Sequence, residues 1–105
     1  MSQSRWKYHL QSGFQLRDSI NADDNEKTLI ALKKCYEEIH NLMPKIYDED
    51  ELEKDIEEIE NQIDNCQNFE EYDMTKKDVE YAINYMLNQF YDFCDYYKIW
   101  INMNF

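Results

Sequence analysis

Apolar residues recur along this chain every three or four positions, the period of amphipathic helices, and four segments carry the pattern. In the first, 4–21, Trp6, Leu10, Gly13, Phe14, Leu16 and Ile20 share one broad face. Arg17 falls near the centre of that face, so its stem must reach the edge or its guanidinium must meet a carboxylate from another helix. In the second, 24–43, Leu29, Leu32, Cys35, Tyr36, Ile39, Leu42 and Met43 fill an arc of roughly 140°. Asp23 with Glu26 reads as its capping box, with Asp in the Ser/Thr place. Pro44 predicts its end, because the residue before a proline is pushed out of helical geometry. The short connection between these two segments predicts an antiparallel hairpin.

The third segment, 49–66, opens with Asp48 as N-cap and Glu51 in the capping-box position. Leu52, Ile56, Ile59, Ile63 and Cys66 follow at alternating steps of four and three, a narrow seam confined to about 80°. The pattern then breaks over 65–73, a predicted outer loop with Phe69 and Tyr72 as anchors. The fourth segment, 75–101, starts at Thr75 with Asp78 at the third helical position. Val79, Ile83, Met86, Phe90, Phe93, Tyr97 and Trp100 continue its stripe, so at about 39 Å it is the expected central packing post. Tyr81 and Tyr85 project from its opposite face. The fold class is all-α: a compact, mostly antiparallel bundle of four helices in one domain, 1–105.

Composition narrows the chemistry. A single Gly and a single Pro leave no material for Gly-rich phosphate loops or β-hairpins. Nine Tyr and five Phe supply a core that a disordered acidic tail would lack. No apolar run is long enough to span a bilayer, and the N-terminus lacks a signal-peptide apolar region, so no membrane association and a cytoplasmic location are expected. Cys35, Cys66 and Cys94 lie far apart with no C-x-x-C, as reduced core thiols would. Glu37-x-x-His40 is half of a di-iron bundle motif, but the only other histidine is His9. Asp48-x-Asp50 begins like a calcium loop and is spoiled by Leu52 and the missing Gly. No metal, no cofactor and no catalytic group is expected, and the chain does not read as an enzyme.

Charge changes the picture most. From Asp48 to Asp73 there are thirteen acids and one base, Lys54, so this stretch carries the net charge of the whole chain, −12. Glu49, Glu53, Glu57, Glu60 and Asp64 form a ribbon within about 80° on the third helix, with Asp50 just outside it. Glu51, Asp55 and Glu58 line the opposite flank. The loop adds Glu70, Glu71 and Asp73. Carboxylates from Asp48 to Asp64 come at roughly one per 2.4 Å of axis, between the phosphate spacings of duplex and single-stranded DNA. A helix selected only for solubility would interleave Lys with Glu. This one sets Glu49/Glu53, Glu51/Asp55, Glu53/Glu57 and Glu60/Asp64 against each other, which costs on the order of 1–2 kcal/mol in total. Direct nucleic-acid binding is disfavoured, since Arg5, Arg17, Lys33-Lys34 and Lys76-Lys77 are scattered and the acidic run repels phosphate.

In size, charge and the run DEDELEKDIEEIENQID, the chain resembles the small acidic anti-defence proteins of phages and mobile elements, the anti-CRISPR and antirestriction proteins. The resemblance implies an inhibitor, monomeric or homodimeric, whose partner is a basic nucleic-acid-binding nuclease or effector complex. The acidic ribbon would occupy the groove meant for DNA or RNA, with Tyr81 and Tyr85 adding aromatic contacts. The alternative is a helical adaptor or assembly module whose acidic face only confers solubility.

Overall fold

The structure, a computed structural model, describes the backbone of residues 8–46 and 50–101 and the side chains of 9–42 and 53–101. Its elements, in order, are β1 (Tyr8–Leu10), α1 (Gly13–Asn21), α2 (Asn25–Ile46), α3 (Asp50–Gln67), α4 (Lys76–Tyr96) and β2 (Ile99–Ile101). Four helices form an all-α bundle. Two short strands join its ends.

Those strands correct both outer helix boundaries. Instead of a helix over 4–21, the chain runs extended through Tyr8–Leu10, turns, and becomes helical only at Gly13; Trp6 lies outside the described residues. Instead of continuing to 101, α4 stops at Tyr96 and Lys98 takes a left-handed backbone, φ 60°. The strands pair in parallel, with Tyr8 opposite Ile99, His9 opposite Trp100 and Leu10 opposite Ile101. Leu10 and Ile99 are buried in the common core, and the His9 and Trp100 rings meet edge to face at 5.3 Å. A glutamate from α2 fixes the turn that follows β1. Glu38 accepts hydrogen bonds from the Gln11 and Ser12 amides, at 2.9 and 3.0 Å, and from the Ser12 hydroxyl at 2.7 Å.

With one glycine in the chain, the helix stops are made by other residues. Asp23 (φ 53°) closes α1 in a Schellman arrangement: its own amide donates to the Ile20 carbonyl and the Asp24 amide to the Ser19 carbonyl. Asp73 (φ 58°) closes the turns after α3 in the same way, through Phe69 and Glu70. Aspartate tolerates this left-handed geometry better than most side chains. The cap of α2 therefore moves one residue along, from Asp23 to Asp24, whose Oδ1 accepts from the Lys27 amide at 3.1 Å. At its other end α2 passes Pro44 and stops at Ile46. Proline is tolerated there because the distortion falls in a final turn, where few further helical hydrogen bonds depend on it. The cap of α4 is as the spacing predicts. The Thr75 hydroxyl accepts from the Asp78 amide and the Asp78 carboxylate accepts from the Thr75 amide, which holds the Asp78 carboxyl below its ordinary range.

The central post is α2, not α4. It packs against α1, α3, α4 and β1, and buries Thr28, Leu29, Ala31, Leu32, Cys35, Tyr36 and Ile39. At 22 residues it is about 33 Å long. The α4 stripe buries Val79, Ile83, Met86, Phe90 and Cys94 against it, and the Tyr36 ring stands edge-on to Phe90 (5.2 Å) and Phe93 (5.9 Å). Phe14, placed on the apolar face by its spacing, is instead exposed. Arg17 stacks over its ring at 5.1 Å and pairs with Asp18 at 2.8 Å, so the guanidinium has reached the edge of α1. All three cysteines are free and buried, and burial pushes the Cys35 thiol up to about 12 and Cys94 higher still. They are core atoms.

Candidate acidic interface

Of the α3 seam, Ile56, Ile59, Ile63 and Cys66 are buried as the spacing predicts, while the Leu52 side chain lies outside the described residues; the buried seam sets where the acids beside it go. One flank turns toward α2. There the Lys33 Nζ donates to Asp64 Oδ1 at 2.8 Å, and the His40 ring lies 3.9 Å from Glu53. The hydrogen-bonded Asp64 carboxylate holds Lys33 above the ordinary lysine value against the opposing effect of desolvation, with Glu37 and Glu60 adding to the field. Of the ribbon inferred from spacing, Glu53, Glu57, Glu60 and Asp64 are described, and its lower end is partly neutralised. Glu60 and Asp64 are half-buried beside α2, whereas Glu53 and Glu57 are exposed. Glu49 lies outside the described residues, and Asp50 opens α3 with its side chain outside them.

The other flank turns toward α4. Asp55, Glu58 and Gln62 face Gln89, Asp92, Phe93, Tyr96 and Tyr97 across an open groove of about 600 Å³. Its aromatic wall is a ladder that leaves the core through Tyr36 and Phe93, passes Tyr97 at 4.7 Å and reaches Tyr96 at 4.8 Å. Among the described residues no Lys or Arg pairs with Asp55, Glu57, Glu58 or Asp92. A second hollow, of about 570 Å³, lies between the start of α2 and the end of α3. Leu29, Ile30, Cys66, Phe69, Lys76 and Val79 contribute to its mixed lining.

The acids of the turn after α3 are all exposed: Glu70, Glu71 and Asp73. Phe69 anchors this turn against the core as its position suggests, while Tyr72, also expected to anchor it, is exposed. Tyr81 and Tyr85 are exposed on the outer face of α4. Helical spacing puts Tyr85 on one strip with Asp92 and Tyr96, which is the strip bordering the groove. Tyr85 is therefore in line with the groove-bordering strip of α4, not with the Glu53–Asp64 side of α3.

No known protein family, curated protein or solved structure matches this chain significantly. Two features of the site escaped the spacing argument. Tyr96 was hidden by the apparent continuation of the α4 stripe through Tyr97 and Trp100, although Tyr85, Asp92 and Tyr96 already sat seven and four residues apart. Pairing of Asp64 with Lys33 depends on which helix lies alongside, and a wheel of one helix does not contain that. Among the described residues no group of His, Cys, Asp and Glu is arranged to hold a metal ion, and no helix is long and apolar enough to cross a membrane.

Proposed function

We propose that this protein is a non-enzymatic inhibitor that presents the acidic surface of α3 and the following turn to the basic groove of a nucleic-acid-binding effector, such as a CRISPR or restriction nuclease. It acts as a nucleic-acid mimic in the cytoplasm of a host cell, as a monomer or homodimer. One observation carries this reading. Glu53, Asp55, Glu57, Glu58, Glu70, Glu71 and Asp73 are all exposed, and no Lys or Arg pairs with them among the described residues. A fold that keeps so many like charges unpaired forgoes the few tenths of a kcal/mol that each interleaved lysine would contribute. A cationic groove returns that energy on binding, mostly as a faster and more selective encounter.

Charge reversal tests it. Glu53→Lys, Glu57→Lys and Glu70→Lys together alter only exposed positions; Glu60 is left alone because a cation there would repel Lys33. The triple variant should keep the circular dichroism of the parent and lose inhibition of the nuclease. Retained inhibition would reject mimicry. The exposed tyrosines of α4 favour a second reading, a helical adaptor whose contacts are aromatic. Under it, Tyr81→Ala with Tyr85→Ala should weaken association while the charge reversal leaves it intact.

A further inference from the structure

The groove between α3 and α4 differs from the rest of the acidic surface. Elsewhere the carboxylates stand on open helix or turn, whereas here they line both banks of a groove, one of which is also aromatic. Asp55 and Glu58 lie on one side and Asp92 on the other. Tyr96 is 76% exposed, yet its ring is held edge-on by Tyr97, which in turn leans on Phe93. A large exposed ring fixed in this way loses little side-chain freedom when something stacks on it. Gln89 lines the same groove, with its Oε1 buried.

We propose that this groove is an arginine-binding site, which takes a guanidinium side chain presented by a basic protein segment. Each component matches a property of that group. The guanidinium is planar and stacks on an aromatic face, as on Tyr96; it is permanently cationic, as suits a groove carrying Asp55, Glu58 and Asp92; and it carries several N–H donors in a fixed fork that matches carboxylates. An ammonium satisfies the charge but supplies neither the plane nor the fork, so the groove discriminates arginine from lysine. The open shape suits a side chain inserted from a protein surface better than an enclosed small molecule. The class of partner rests on the reading given under Proposed function; the preference for arginine does not.

The test is a titration of the isotope-labelled full chain with a short arginine-containing peptide and its lysine counterpart, followed by amide chemical shifts. Expected shifts concentrate at Asp55, Glu58, Gln89 and Tyr96, and the lysine peptide binds about five-fold more weakly or less. Tyr96→Ala should reduce arginine-peptide affinity about five-fold. Glu58→Gln, on the opposite bank, should reduce it independently of any disturbance at the end of α4. Equal affinity for the two peptides, shifts spread evenly along α3, absence of binding, or indifference to both variants would each overturn the assignment. The Glu53/Glu57/Glu70 reversal lies outside the groove and separates the two proposals. If it abolishes nuclease inhibition while neither groove variant alters peptide binding, the arginine site fails and mimicry stands. If arginine preference persists in a protein that inhibits no nuclease, the reverse holds.

Discussion

The two flanks of α3 are similar in composition and opposite in circumstance. Toward α2, the acids meet a helix that carries Lys33 and His40, and the lower half of the ribbon is tied down: Asp64 bonds to Lys33, and Glu60 sits within its field. Toward α4, Asp55 and Glu58 meet Asp92 and an aromatic wall, and among the described residues no Lys or Arg pairs with them. The same helix thus uses acids in two ways. On one side they help set how α3 lies on its neighbour, and on the other they remain exposed, with no Lys or Arg partner among the described residues. An acidic run is one object in the sequence and two in the fold.

The strongest way to break this contrast is to loosen the seam on which both flanks depend. Ile63 is fully buried, and Ile63→Ala should cost about 2–5 kcal/mol, read from the midpoint of chemical denaturation. A smaller loss would mean that α3 is held by its charges and not by its apolar seam. Glu38 offers a sharper comparison, since it is an acid the fold does use. Replacing it with Ala removes three hydrogen bonds from the turn ahead of α1 and should cost about 2 kcal/mol. Hydrogen exchange should show the added opening at Gln11 and Ser12 first.

Lys33→Met makes the α2 flank resemble the α4 flank. The pair is partly exposed, so the loss should be small, about 0.5 kcal/mol, and should shrink in high salt. Because the folded-state pKa of Lys33 is raised, its contribution is fully present below the ordinary lysine value and is lost as pH rises through the higher folded value. Parent and variant should therefore converge in stability only in strong alkali; convergence near neutrality would contradict the pairing. Smallest of all should be Glu58→Gln. With no Lys or Arg partner among the described residues, it should shift stability by only a few tenths of a kcal/mol, toward greater stability if at all. A clear destabilisation would reveal that the α4 flank is structural after all.

How much of this was legible in the chain follows from what each feature depends on. The α3 seam and the Thr75–Asp78 cap depend on residues within a turn or two of each other, and both appear where spacing puts them. The strands do not: three residues at Tyr8–Leu10 are extended because Ile99–Ile101 lies beside them, at the far end of the chain. Trp100 and Ile101 even continue the helical period, and only the left-handed turn at Lys98 interrupts it. The role of α2 as post was not visible in its apolar arc, because the stripes of the first and fourth segments are about as broad; it depends on which helices lie alongside. The division of the acids into paired and unpaired flanks was not visible, because it is a property of neighbours.

The most direct test of the central claim is a displacement measurement. Purified effector nucleases, CRISPR and restriction types among them, are loaded with labelled DNA or guide RNA and titrated with this protein at increasing salt. The account predicts that at least one nuclease releases its nucleic acid at low salt, that release weakens steeply as salt rises, and that the Glu53/Glu57/Glu70 reversal abolishes it. Displacement that is flat in salt and indifferent to the reversal would contradict it, and so would the absence of displacement throughout the panel.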